Sequence, residues 1–547
     1  MKLFRKKTIE SILKTQEKEP THQLNKVLGV RDLTFLGVAA IIGAGSFSSM
    51  GEACYKGGPG VIILFIFCAI ACGFAALCYA EFASRIPISG SAYTYAYASF
   101  GELFAWVIGW ALLMEYSIGN IYVAFAWSDY FTALLEGLNI HLPAYVTCSY
   151  MDAKKCVAEG KINEGLLAWN SAPKLAGIRL IADCPAFIIN IFITILVYVG
   201  VKESRNASNI MVILKLLVVA LVIVVGVFYI NTDNWQPFMP NGFGGVMGGV
   251  AAVFFAFIGF DAVSTMAEEC KNPQRDLPRG MLYSLIICTI AYIMLSLVLT
   301  GMVKYNLLGV GDPLAEVFKL RGVNWMLYIV AICAVVAMTS VLLVFQMGQP
   351  RIWLSMSRDG LLPERFSKIH PTYQTPSFST IITGLVVGVP LLFTDKKFVL
   401  DFTSIATLFA FVLVCGGVLL LPRIPKNNNS GFQLPYINSK IILPIFFVTT
   451  LLLIALMQPT FFNKLFQWQG EQGFSNFSLF IFFIIYALFS ILSYRYNYSL
   501  IPILGVLTCT YLLTGMSISN WLWFIAWLAL GLIIYFSYSY KKSKLNV

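Results

Sequence analysis

From Arg31 onward the sequence is a succession of apolar runs, each near the length a helix needs to cross a bilayer, about 20 residues. The runs fall near 33–55, 60–83, 102–130, 180–200, 208–230, 244–267, 281–302, 326–349, 377–394, 399–421, 440–459, 478–494, 498–514 and 520–538. Backbone inside lipid must satisfy its own N–H and C=O groups, so only helices and closed barrels span it. No run alternates with period two, which argues against a barrel. The reading is an all-α polytopic membrane protein with about fourteen transmembrane helices.

Composition supports the same class. Of 547 residues, 58% are hydrophobic and 12% charged, the latter roughly half of what a soluble domain carries. That excludes an ordinary soluble enzyme, a disordered scaffold and a nucleic-acid module. Residues 1–31 are polar and basic, with no apolar core leading to a cleavage site, so they do not read as a removable signal. They read as a tail. The division expected is a tail 1–31, a first five-helix unit 32–230, a second 231–421, four accessory helices in 422–540, and a tail 541–547.

The net charge of +11 is then a matter of sidedness. If the N-terminus is cytoplasmic, the connections on that side carry about 25 of the 38 Lys and Arg residues, counting Lys440 at a helix edge. The opposite connections carry about 12, five of them in the single long loop 131–179. The positive-inside rule places both termini in the cytoplasm, which requires an even number of spans. The basic excess needs no nucleic-acid partner. The 12 cysteines form no CxxC pair, and most sit in apolar runs as small packing residues. Cys148 and Cys156 share one polar loop, where a bridge is open if the loop faces an oxidising compartment.

Two apolar runs carry an interruption. The first reads Ile42-Gly43-Ala44-Gly45-Ser46, the sixth Phe254-Phe255-Ala256-Phe257-Ile258-Gly259-Phe260-Asp261. Glycine weakens a helix interior by about 1 kcal/mol relative to Ala. Unwound backbone at mid-membrane is tolerated where it is buried in protein or lines a cavity. There it offers N–H groups to a carboxylate and carbonyls to an ammonium group. The bland alternative is that the glycines only let helices pack closely. Yet the two interruptions open the two five-helix units, and both contain Ile-Gly. Interruptions at corresponding places in two halves are a pointer to a transporter built from inverted repeats.

Ionisable residues within the runs are the second signal. Lys215 lies in Ile213-Leu214-Lys215-Leu216-Leu217, about 10 Å past the expected helix start at 1.5 Å per residue. A charge at depth is costly. Either it snorkels to the interface, or it exchanges a proton and couples that exchange to a conformational change. Glu115 and Asp261 are buried acids by the same reasoning, facing a cavity or a polar partner. The Phe cluster around 254–260 packs the break or covers a small ligand. Glu268 and Glu269, at the end of that run, read as structural or gating residues. His22, His141 and His370 all lie in polar connections with no metal spacing, so neither a cofactor nor a membrane enzyme is expected.

The motif IIGAGSF in the first run resembles the amino acid–polyamine–organocation superfamily of transporters. So do Tyr79-Ala80-Glu81, Pro87-Ile88-Ser89-Gly90-Ser91-Ala92-Tyr93, and FFAFIGFDAVSTMAEECKNPQRDLPRG. The stretches Gly348-Gln349-Pro350-Arg351 and Ser357-Arg358-Asp359-Gly360-Leu361-Leu362-Pro363 look like its cationic amino acid transporter branch. The resemblance implies a ten-helix core of two inverted five-helix repeats with broken helices 1 and 6. It implies an amino acid held between the breaks, its carboxylate on the N–H groups of Ala44, Gly45 and Ser46, next to Ile42 and Gly43. The carbonyls around Phe255, Phe257 and Ile258, beside Gly259, would hold its amino group, with Phe255 as a gate. Lys215 would sit by the first break and the hydroxyls Thr339 and Ser340, in the place of a coupling sodium ion. The expectation is a plasma-membrane importer of amino acids working with protons by alternating access. Exchange or uniport of an amino acid or polyamine without net proton flux stays open, as do the substrate side chain, for which Glu115 and Asp261 are candidates, and any partner subunit.

Overall fold

The computed structural model describes residues 5–7, 28–86, 91–159, 164–175, 178–200, 205–373, 375–421, 432–457, 460–468 and 473–546. Most of the N-terminal tail, the motif residues Pro87–Gly90 and the side chains of Glu268 and Glu269 lie outside the described residues. Among the described residues the regular structure is helical apart from a two-residue antiparallel pair, Lys174–Leu175 with Ile178–Arg179, and isolated bridges.

In chain order the helices are α1 Val30–Ile41, α2 Met50–Gly57, α3 Val61–Arg85, α4 Ser91–Ser99 and α5 Glu102–Gly137. The long loop folds as α6 Tyr150–Glu159 and α7 Glu164–Ser171. Then come α8 Cys184–Val199, α9 Arg205–Val227, α10 Gly242–Gly248, α11 Val250–Phe257, α12 Pro273–Met302, α13 Pro313–Leu320 and α14 Asn324–Arg358. The remainder are α15 Ser377–Leu391, α16 Lys396–Leu420, α17 Ile442–Met457, α18 Phe461–Leu465, α19 Gly473–Tyr496, α20 Leu500–Leu513, α21 Ile518–Ile534 and α22 Tyr540–Lys542.

Local chemistry sets several boundaries. Asp183 accepts from the N–H of Ala186 at 3.0 Å and starts α8, with Pro185 in the first turn. Gly200 ends it at φ +76°, a left-handed conformation that glycine adopts without strain. Asp395 caps α16 through the N–H of Phe398. Orphan N–H groups at a helix start must be satisfied in this way when water is remote.

Among the described residues, seven helices are long and apolar enough to cross a bilayer, or eight if the bent pair Gly242–Gly248 and Val250–Ser264 is one span. This is below the fourteen expected. Five further apolar helices have only 10–17 residues, and 16 residues rise about 24 Å against a hydrocarbon core of about 30 Å. These five are thus shorter than the length of about 20 residues taken above for one span.

The helix α21 is keyed to α5. Trp110 Nε1 donates to Trp527 O at 2.8 Å and Trp527 Nε1 donates back to Trp110 O at 3.0 Å. Their rings stack at 4.7 Å. Trp106 Nε1 donates to Gly531 O at 2.8 Å. A Cβ at Gly531 would stand 2.4 Å from the Trp110 ring, so only glycine lets the indole seat there. At the start of α5, the fully buried Glu102 receives Arg5 at 3.1 Å, Tyr97 at 3.1 Å, Tyr535 at 3.0 Å and Ser543. Residues near both chain ends thus meet on one carboxylate, which is the partnering a buried charge requires.

Candidate functional site

Both interruptions are breaks in the structure. After α1 the chain leaves helical geometry at Ile42 (φ −77°, ψ 99°) and re-enters through a π-helical turn, Gly45–Ser49, that leads into α2. After α11 it is extended at Ile258 (φ −61°, ψ 137°) and turns at Gly259 (φ +120°) into a 3-10 segment, Phe260–Glu269. A φ of +120° is open to glycine and strained for other residues, so Gly259 is required where it stands.

The breaks lie against each other. A Cβ on Gly45 would sit 2.5 Å from the Cα of Ala256, and one on Gly259 would sit 2.9 Å from the Cβ of Ala40. Ser49 Oγ donates to Gly45 O at 2.9 Å or across to Ala252 O at 3.0 Å. The backbone groups of the first break divide into used and unused. Gly43 O accepts from the N–H groups of Ser46 at 3.1 Å and Phe47 at 3.0 Å, and from Ser46 Oγ at 3.1 Å. The N–H groups of Gly43, Ala44 and Gly45 donate to nothing among the described residues. Of the three N–H groups expected to face a carboxylate, those of Ala44 and Gly45 are unused, whereas the Ser46 N–H closes the first turn of the second half-helix.

Lys215 of α9 is fully buried. Its ammonium group donates to Ala39 O at 3.1 Å, to Ile42 O at 3.2 Å and to Ser340 Oγ of α14. It joins the break to two other helices. Thr339 is turned elsewhere by its one-residue offset, about 100° of helical rotation. Its hydroxyl donates to Val335 O at 2.7 Å and accepts from Trp127 Nε1 at 2.9 Å.

Phe255 stands edge-on to Tyr122 of α5, with ring centroids 4.5 Å apart. Phe257 faces the other way, against Tyr292 at 5.5 Å and Phe65 at 6.3 Å. Tyr292 in turn donates to Ile41 O at 2.8 Å, so Phe257 and Tyr292 form a packed wedge behind the break. Glu115 and Asp261 lie within electrostatic reach of each other and of the Tyr79 and Tyr116 hydroxyls. Glu115 Oε2, Asp261 Oδ1 and the Tyr79 hydroxyl are buried and have no hydrogen-bond partner among the described residues. Unsatisfied buried polar atoms are uncommon in folded proteins, and a ligand or proton is one way to satisfy them. Cys148 and Cys156 are both free thiols, so the bridge left open above is not formed.

The residues missed from the sequence are Tyr122, Trp127 and Tyr292. Aromatics in an apolar run carry no local mark of function. Ser49 was legible in principle: it lies one turn past Gly45, where a hydroxyl can return to a carbonyl of the broken segment.

Known proteins supply an independent comparison. The amino acid permease family model matches residues 28–489, and a model for the C-terminus of such permeases matches 498–543. A branched-chain amino acid permease, BcaP, of Bacillus subtilis is 38% identical over 545 residues, covering 100% of this chain and 99% of that protein. A methylthioribose transporter of the same organism is 36% identical over 546 residues, covering 100% and 99%. A vacuolar cationic amino acid transporter 4 of Arabidopsis thaliana is 36% identical over 433 residues, covering 78% of this chain and 68% of that protein. The two breaks, the resemblance in their motifs and the end-to-end matches agree: this multi-pass membrane protein belongs to the amino acid permease family, within the amino acid–polyamine–organocation superfamily of transporters.

Proposed function

We propose that the chain imports an amino acid across the plasma membrane together with protons, by alternating access around the two broken helices. Both termini are read as cytoplasmic. In this reading the five shorter apolar helices also cross, and α1 with α2 forms a span separate from α3, giving fourteen spans, ten of them in two inverted five-helix repeats. The substrate carboxylate lies on the free N–H groups of Gly43, Ala44 and Gly45. Its amino group meets the carbonyls left by the break at Phe257 and Ile258, under Phe255.

The observation that carries the coupling is the seat of Lys215. Charge-assisted hydrogen bonds to Ala39, Ile42 and Ser340 tie the broken helix to α14. A protonated amine donates to all three groups at once. A neutral amine has only two N–H bonds to give and no charge to strengthen them. Loss of the proton therefore loosens α1 from α14, which is a change that can open a path. The full-length relatives named for branched-chain amino acids and for methylthioribose favour an uncharged side chain, with Glu115 and Asp261 holding a proton rather than a basic substrate group.

The test is uptake into proteoliposomes of labelled Leu, Ile, Val, Arg, Lys and methylthioribose, with and without an imposed pH gradient. Gradient-driven uptake of an amino acid is expected. Lys215→Met should remove the gradient-driven component and leave counterflow exchange. Gradient-driven uptake unchanged in that variant would sink the coupling, and uptake of methylthioribose alone would sink the amino-acid assignment.

A further inference from the structure

The end of α5 that bears Asp129 lies about 40 Å along the helix from Glu102, at 1.5 Å per residue, and so on the face opposite the chain ends. There Lys396, the first residue of α16, pairs with Asp129. Its ammonium group also lies 5.6 Å from the centroid of the Tyr122 ring, within the range of cation–π attraction. Tyr122 is the ring that stands edge-on to Phe255. Its hydroxyl donates to Ser48 Oγ at 3.4 Å, and Ser48 donates to Gly311 O at 2.9 Å. A Cβ on Gly311 would be 2.5 Å from Asp129 Oδ2, so the loop ahead of α13 is seated on the same carboxylate.

These contacts form a closed loop. It runs from α16 to α5, inward through Tyr122 to α11 and the second half of the first broken helix, and back through the loop to Asp129. From solvent towards the break the order is ion pair, Tyr122 ring, Phe255 ring. Exposure drops inward of the pair: the Lys396 side chain is 22% and the Asp129 side chain 35% exposed, whereas Tyr122 and Phe255 are both buried, at 2% and 5%. A solvent-accessible pair is weak, which suits a closure that must break on every cycle.

We propose that the Lys396–Asp129 pair is a latch that holds Tyr122 down on Phe255 and shuts the path from this face to the broken helices. The latch rests on the transport reading, because only alternating access needs a closure on this face. A second pair on the same face, Lys155–Asp395 at 2.7 Å, touches neither ring, and Asp395 is already committed to capping α16.

Hydrogen exchange on the full-length protein in lipid nanodiscs tests it without a substrate. Lys396→Met keeps the aliphatic stem and removes the charge. It should speed exchange several-fold in peptides covering 45–57 and 250–257 and leave the other helices as in the wild type. Asp129→Asn should do the same, the two together no more than either, and Lys396→Arg should restore slow exchange. Lys155→Met should change nothing in those peptides. Unchanged exchange in Lys396→Met would overturn the latch. So would a rise spread evenly over all helices, because the pair would then only support the fold. The two readings separate cleanly. Localised opening without uptake of any tested compound would keep the latch and remove the transport assignment, and uptake with unchanged exchange would do the reverse.

Discussion

Gly45→Ala is the sharpest perturbation of the crossing between the breaks. The added Cβ would lie 2.5 Å from Ala256 Cα, 3.1 Å from Ala256 Cβ and 3.3 Å from Ala256 C, whereas ordinary contact begins at 3.4 Å. The two backbones must therefore part by about 0.9 Å, the difference between 3.4 and 2.5 Å. Overpacking of this kind costs roughly 1–3 kcal/mol. It falls on the free N–H groups proposed for the carboxylate, and at 1.36 kcal/mol per decade that is about 5- to 150-fold in affinity. The expected result is a rise in uptake KM of that order, with the melting temperature lowered by a few degrees at most. A paired variant sharpens the reasoning. Ala256→Gly removes the Cβ but leaves the Cα that makes the closest approach, so it should not rescue Gly45→Ala. Gly43→Ala is the contrast: its closest neighbour is Val341 Cγ2, at 2.3 Å, a side-chain atom that can rotate away. It should cost less. Wild-type KM in Gly45→Ala, or full rescue by Ala256→Gly, would refute the argument that backbone contact at this crossing shapes the site.

Two further outcomes can be checked by thermal unfolding in detergent. Burial, with the carboxylates of Asp129 and Glu316 nearby, pushes the Asp312 carboxyl up to about 7. A carboxyl raised in the folded state contributes stability that is complete below its unfolded value, about 4, and is lost as pH rises through 7. Asp312→Asn should therefore melt with the wild type near pH 4 and above it at pH 8, and an equal difference at both pH values would remove this account. Trp527→Phe keeps the stack on Trp110 but loses the bond to Trp110 O. A loss near 0.6 kcal/mol, as for an average interhelical bond in a membrane, is expected, and no loss would mean the reciprocal bonds add nothing beyond packing.

What was legible in the sequence was what broke a local pattern. Gly43, Gly45 and Gly259 stood out because glycine interrupts an apolar run. Lys215, Glu115 and Asp261 stood out because a charge in such a run demands a partner. Ser340 and Thr339 could not be told apart, since one residue of offset decides which hydroxyl meets the lysine and nothing local fixes the helix rotation. Lys396 was visible only as one basic residue in the less basic set of connections. Its role depends on Asp129, 267 residues earlier, and no periodicity connects the two. Tyr122 and Tyr292 were invisible for the opposite reason: an aromatic in an apolar run is ordinary until its neighbour is known. Hydropathy marks where apolar sequence lies, not where a helix starts and stops, so the five short apolar helices were not told apart from the long ones.

The reciprocal indole bonds between Trp110 and Trp527 also bear on how the protein is made. During synthesis α5 enters the bilayer some 400 residues before α21 is available. Without α21 the Trp106 and Trp110 indole N–H groups lack the carbonyl acceptors that Gly531 and Trp527 provide, and lipid offers none. The Trp110 ring of α5 seats only where Gly531 leaves room for it. α21 thus completes the packing of the helix from which Tyr122 and Asp129 reach Phe255 and Lys396.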